Sequence, residues 1–178
     1  HAIVGELIHA NEYVDVIVPR GGAGLIQFVV KNSTVPVIET GAGICHLYVD
    51  KDADLNKALT IAVNAKIQRP SVCNAIETIL VHKDVADKFL PELKKAFEKV
   101  EIKGDDATCQ IIHCEHVTDD SYATEYDDYI CNIKVVDDIE EAIEHIYNYS
   151  TKHSESIITE NKEKDRKSTP TQIGRAHV

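Results

Sequence analysis

An α/β fold on a largely parallel sheet is what this chain encodes, and two patterns carry that expectation. Short β-branched runs alternate with helical stretches almost throughout. The earliest run, residues 14–18, is closed by Pro19 and followed by Gly21, Gly22 and Gly24, then by Leu25, Ile26, Val29 and Val30 at helical spacing. Strand, glycine turn and helix in that order aim backbone N–H groups at phosphate. The spacing is not the full dinucleotide fingerprint, and glycines that simply make a tight turn fit it too.

The remaining elements follow in order. Residues 35–38 form a second β run, and Gly41 and Gly43 make a flexible crossover into a third strand over 45–49. Asp52 or Asp54 can cap the next helix, where Leu55, Ala58, Leu59 and Ala62 form one apolar stripe. Pro70 closes that helix, because it lacks an N–H and drives Arg69 toward extended geometry. A strand over 76–82 leads into a helix capped by Asp84 and carrying Phe89, Leu90, Leu93 and Phe97, with Pro91 expected to kink or interrupt it. Residues 101–128 are polar and give weak signals. A strand over 130–136, an amphipathic helix over 139–149 and a last strand over 156–159 complete the pattern.

With 178 residues and 43% hydrophobic side chains, the chain can bury a core of ordinary domain size. A net charge of −11 argues against nucleic acid and anionic membrane as partners, since phosphate surfaces select basic patches. No apolar stretch approaches the roughly 18 residues of a membrane span and no signal-peptide pattern is present, so a cytoplasmic enzyme is expected. The 5 cysteines form no CxxC pair, which implies reduced thiols rather than a disulfide framework or a zinc ribbon. Cys109, His113, Cys114 and His116 are metal-ligating types without a standard zinc spacing, and no metal is expected there. His46 reads as a buried, hydrogen-bonded core histidine, and Asp119, Asp120, Asp127 and Asp128 as a solvated face.

Chemistry concentrates at Cys73, in the run Asn64-Ala65-Lys66-Ile67-Gln68-Arg69-Pro70-Ser71-Val72-Cys73-Asn74-Ala75-Ile76-Glu77-Thr78. A thiol acts as a nucleophile only as the thiolate, and Lys66 and Arg69 just upstream could supply the charge that favours it. Cys73 then sits on an irregular loop, where reactive groups concentrate. A buried structural cysteine is the competing reading of the same residue.

That run resembles the active-site segment of the gamma-glutamyl phosphate reductase family, a branch of the aldehyde dehydrogenase superfamily. Four further stretches resemble the family in the same order. They are Val14-Asp15-Val16-Ile17-Val18-Pro19-Arg20-Gly21-Gly22-Ala23-Gly24-Leu25-Ile26, then Val35-Pro36-Val37-Ile38-Glu39-Thr40-Gly41 running into Cys45-His46-Leu47-Tyr48-Val49-Asp50, then Glu77-Thr78-Ile79-Leu80-Val81-His82-Lys83, and Lys134-Val135-Val136. The resemblance covers roughly residues 11–160.

The resemblance implies an aldehyde dehydrogenase-like α/β fold. Residues 1–42 would be the C-terminal remnant of an NADP-binding domain, and residues 43–160 an incomplete, mostly parallel three-layer catalytic domain. It implies NADPH-dependent reduction of L-glutamyl 5-phosphate to L-glutamate 5-semialdehyde in proline biosynthesis. Cys73 would attack the acyl phosphate, expel phosphate and form a thioester. The Cys73 backbone N–H would be one oxyanion donor, and the second would come from outside this chain. Gly21 and Gly22 match the cofactor loop, and Glu125 the glutamate that holds the nicotinamide ribose. Glu39 falls where hydrolytic relatives carry a general base, but Glu39-Thr40-Gly41-Ala42-Gly43 only partly agrees with their motif, so Glu39 reads as structural. The full-length protein is expected to be a homo-oligomer, with functional coupling to glutamate 5-kinase.

Two other functions remain open at this point: another oxidoreductase of the superfamily acting on a free aldehyde, and a non-catalytic redox or metal module built on the cysteines. The first residue is His1, the chain has no Met, and the resemblance begins mid-protein, so an N-terminal part is expected to be missing and this chain alone to be inactive. Residues 165–178 contain Asp-Arg-Lys-Ser-Thr and Ile-Gly-Arg-Ala-His-Val, two frames of a common sequencing adapter, and are expected to be a non-native tail.

Overall fold

The computed structural model describes residues 2–39 and 42–163. Thr40, Gly41 and the expected adapter-derived tail lie outside the described residues. The chain divides into two compact units, residues 1–42 and 43–178.

In the smaller unit, α1 (Ala2–Leu7) and α2 (Ala23–Asn32) enclose buried Ile8, Val29 and Val35. Ser33 holds the chain together there: its hydroxyl donates to the carbonyls of Ile8 at 3.0 Å and Val35 at 2.7 Å. The two strands expected over 14–18 and 35–38 reduce to one parallel bridge, Ile17 to Val37. Val16, Val18 and Ile38 stand exposed, so the β-branched runs find no sheet to bury them among the described residues.

The larger unit is a three-layer α/β structure. Its strands are β1 (Cys45–Val49), β2 (Ile76–His82), β3 (Glu101–Gly104), β4 (Glu115–His116), β5 (Ile130–Val136) and β6 (Glu155–Ile158). Among the described residues they form one sheet in the order β4-β3-β5-β2-β1-β6, with every pairing parallel. Crossovers are made by α3 (Leu55–Ile67), α4 (Lys83–Ala96), α5 (Asp106–Ile112), α6 (Asp119–Tyr122) and α7 (Ile139–Tyr149). Because strand side chains alternate, Leu47, Val49, Ile79, Val81 and Ile133 pack with Ala58 and Ala62 of α3 and Phe89, Leu90 and Leu93 of α4 on one face. Tyr48, Leu80 and Ile157 meet Ile139, Ala142 and Ile146 of α7 on the other.

Local chemistry sets the boundaries. Asp54 caps α3, accepting from the N–H groups of Asn56 at 3.0 Å and Lys57 at 3.2 Å. The cap of α4 is His82 rather than Asp84: its Nδ1 accepts from Asp84 N at 3.1 Å, and Asp84 falls in the first turn. Pro91 lies inside α4 without ending it. No helix among the described residues is long and apolar enough to cross a membrane.

Candidate functional site

Cys73 is exposed, which removes the buried structural reading. Helix α3 ends at Ile67 with Gln68 as its C-cap, and Pro70 cannot extend it. Two tight turns follow, Val72 N to Arg69 O at 3.4 Å and Ala75 N to Val72 O at 2.8 Å, and they carry Cys73 to the start of β2. Among the described residues the Cys73 N–H has no acceptor.

The loop is fixed from beneath. A Cβ on Gly43 would lie 1.7 Å from the Cys73 carbonyl oxygen, so only glycine lets the two backbones meet. Gly43 N donates to Glu125 Oε1 at 2.7 Å. Cys45 Sγ donates to the Cys73 carbonyl at 3.4 Å and lies 3.7 Å from His153 Nδ1. Burial, reinforced by Glu155, pushes the Cys45 thiol up to about 12, which leaves it protonated and unreactive beside the exposed Cys73. Thus Cys73 and Glu125, 52 residues apart in the sequence, are joined through the backbone at Gly43.

Lys66 does not serve as the free cation expected near Cys73. It is fully buried, and its Nζ donates to Glu77 Oε2 at 2.8 Å. Burial raises the Glu77 carboxyl to about 7 against the pull of that ammonium. Arg69 remains exposed on the loop.

The other residues that the sequence singles out fall elsewhere. Gly21 has φ +146°, a conformation that favours glycine, and Gly22 caps the N-terminus of α2 with open space where a Cβ would stand. Glu39 accepts from Gln27 Nε2 at 3.1 Å. His46 is buried but its ring makes no hydrogen bond: Nδ1 lies 3.3 Å from Glu155 Oε2 without bonding geometry, while the His46 N–H donates to the same oxygen at 3.0 Å. Asp119, Asp120, Asp127 and Asp128 are exposed. Within Cys109, His113, Cys114 and His116, the two sulfurs face each other and His116 pairs with Asp106 at 3.2 Å. A cavity of about 610 Å³ opens between Asp105, Asp119, Glu141, Glu144, Lys134 and His145; neither Cys73 nor Glu125 lines it, and its acidic rim repels anions.

Sequence reasoning misses two parts of the site. Gly43 reads as a flexible crossover, but its work is close approach. Glu77 carries a visible signal, an acid inside the otherwise uncharged Ile76-Glu77-Thr78-Ile79-Leu80-Val81.

The aldehyde dehydrogenase family model matches residues 1–130. The gamma-glutamyl phosphate reductase of Limosilactobacillus reuteri is 55% identical over 164 residues, which is 90% of this chain and 40% of that protein. The enzyme of that name from Alkaliphilus oremlandii is 58% identical over 160 residues, 89% of this chain and 39% of that protein. The crystal structure of gamma-glutamyl phosphate reductase from Thermotoga maritima superposes with a TM-score of 0.91 at 48% identity, covering 99% of this chain and 43% of that one. The chain therefore spans about two fifths of the length of the relatives it matches. The match to the family model over most of the chain, together with the exposed cysteine on its glycine-seated loop, establishes that this chain belongs to the aldehyde dehydrogenase family.

Proposed function

We propose that this chain carries the nucleophile-bearing part of an NADPH-dependent gamma-glutamyl phosphate reductase, which converts L-glutamyl 5-phosphate to L-glutamate 5-semialdehyde. One observation carries the reading: the exposed Cys73 thiol sits on a loop seated on Gly43, whose N–H is held by Glu125.

Cys73 as thiolate attacks the acyl carbon, the C–O bond to phosphate breaks, and phosphate leaves with that electron pair, which gives a thioester on Cys73. The Cys73 N–H, without an acceptor among the described residues, is suited to donate to the oxyanion of the tetrahedral intermediate. The buried Cys45 holds the loop from below through the Cys73 carbonyl and does not compete for substrate. Glu125, fixed by Gly43 N, is the candidate holder of the nicotinamide ribose. Gly21 and Gly22, at the N-terminus of α2, are the candidate holders of the dinucleotide phosphates, and the N-cap Gly22, with open space where a Cβ would stand and no side-chain cap, leaves room for an anion. When bound, NADPH supplies the hydride that reduces the thioester. Glu39 is engaged with Gln27, in keeping with a reductase that gains nothing from activating water against its own thioester. An acyl phosphate hydrolyses readily, so coupling to the glutamate 5-kinase that makes it, in the cytoplasm and within a homo-oligomer of the full-length protein, completes the proposal.

The test uses residues 1–163 joined to the remaining segments of the Limosilactobacillus reuteri relative. This completed enzyme should reduce NADP with glutamate semialdehyde only when phosphate is present, and Cys73→Ser should lower the rate by about 10³-fold or more. Phosphate-independent oxidation would instead identify an enzyme of free aldehydes.

A further inference from the structure

We propose that Cys109 and Cys114 form a disulfide-forming dithiol site, open to oxidation by low-molecular-weight disulfides. Their Sγ atoms lie 2.9 Å apart, within about 1 Å of the S–S bond length. The approach is built by the surrounding backbone. Helix α5 ends at Ile112 and His113 turns with φ 47°, which folds Cys114 back over Cys109. From α4, Lys94 Nζ donates to the carbonyls of Ile112 and His113 and pins that turn. Gly104 leaves the space: a Cβ there would come within 2.6 Å of Cys114 Sγ. Cys109 is buried, and Cys114 is half-buried at the surface. None of these residues belongs to the Cys73 site, so the inference stands whether or not the proposed reductase activity does.

The chemistry is a two-electron thiol–disulfide exchange. The Cys114 thiolate attacks one sulfur of oxidised glutathione, its S–S bond breaks, and one glutathione leaves and takes up the proton. Cys109 then loses its proton and attacks the Cys114 sulfur, which expels the second glutathione. The two protein thiols are oxidised and one glutathione disulfide is reduced to two thiols. Burial and the neighbouring sulfur push Cys114 up to about 12, so the exchange is slow and the measurement is made at equilibrium.

The 178-residue chain is equilibrated with graded mixtures of reduced and oxidised glutathione, quenched in acid, alkylated and cleaved after acidic residues. The peptide carrying both thiols should escape alkylation and weigh about 2 Da less than the unmodified dithiol peptide, the loss of two hydrogens, at a glutathione disulfide fraction about 10-fold lower than the same chain needs in denaturing urea. Over the same range Cys73, exposed and without this partner, should carry glutathione as a mixed disulfide. Gly104→Ala keeps both thiols but crowds the Cys114 sulfur, and should erase most of that advantage. Oxidation at the same ratio with and without urea would overturn the proposal, as would glutathione remaining attached to Cys114.

Discussion

At Gly43 a single hydrogen atom decides whether the Cys73 loop can close. The Cys73 carbonyl occupies the place of a Cβ, 1.7 Å from where it would stand, and backbone atoms cannot move aside as a flexible side chain would. Gly43→Ala in the completed enzyme should therefore displace Cys73 and lower turnover by about 10²-fold or more, since a misplacement of about 1 Å is enough for that. Iodoacetamide should still label Cys73, because the thiol stays exposed. A variant with parental turnover would mean that the loop is not seated on residue 43. Cys73 itself is singled out by its neighbours, and its exposure removes the reading as a buried structural cysteine. The glycine beneath it is not legible, because close approach and flexibility place the same residue in a sequence. Lys66 misleads for a related reason: one position shows charge, and only the fold shows that Glu77 takes it up.

Helix α3 and strand β2 are joined by that buried pair, whose two side chains are 0% and 1% exposed. Its partners sit on either side of the Cys73 loop, so the ion pair ties the loop's two stems together. A buried ion pair is costly to break and cheap to replace whole, because removing one partner strands the other charge. At about pH 9, where the Glu77 carboxyl has given up its proton to the pair, Lys66→Met should thus lower unfolding free energy by about 3–5 kcal/mol, whereas Lys66→Met with Glu77→Leu should recover most of it. Urea unfolding of the parent, both single variants and the double variant measures the coupling, and additive single losses would disprove it. The same stems show which elements a sequence discloses. Strand β2 and helix α7 begin and end at the expected residues, because each presents a continuous apolar face to a covered sheet. No expectation from the sequence covers β3, α5, β4 or α6. They are short and near the sheet edge, and β4 is two exposed residues paired with β3. Their order comes from the sheet they join, which no local pattern records.

Over the molecule as a whole, two buried groups give stability a pH dependence of opposed sign. His145 packs edge-on against Tyr122 at 4.6 Å, and burial, with His46 and Lys134 adding to it, lowers its pKa from 6.5 to about 3. The unfolded chain takes up that proton near 6.5 and the folded chain not until about 3, so this term is lost as pH falls between those values. Glu77 runs the other way. Its folded carboxyl keeps its proton up to about 7 while the unfolded one releases it near 4.5, so its term is lost as pH rises between those values. The two slopes oppose each other where the windows overlap, and below about 4.5 His145 acts without Glu77. Comparing the parent with His145→Gln isolates the histidine, since every carboxylate is common to both. At pH 7 the variant should be the less stable, having lost ring contacts with Tyr122 and Tyr149. On acidification to about pH 4 the parent alone should lose about 3 kcal/mol from this residue, and the gap should close or reverse. Urea titrations of both proteins at intervals over that range measure the gap directly. A gap that stays constant would mean that the folded His145 takes up its proton as readily as a free imidazole.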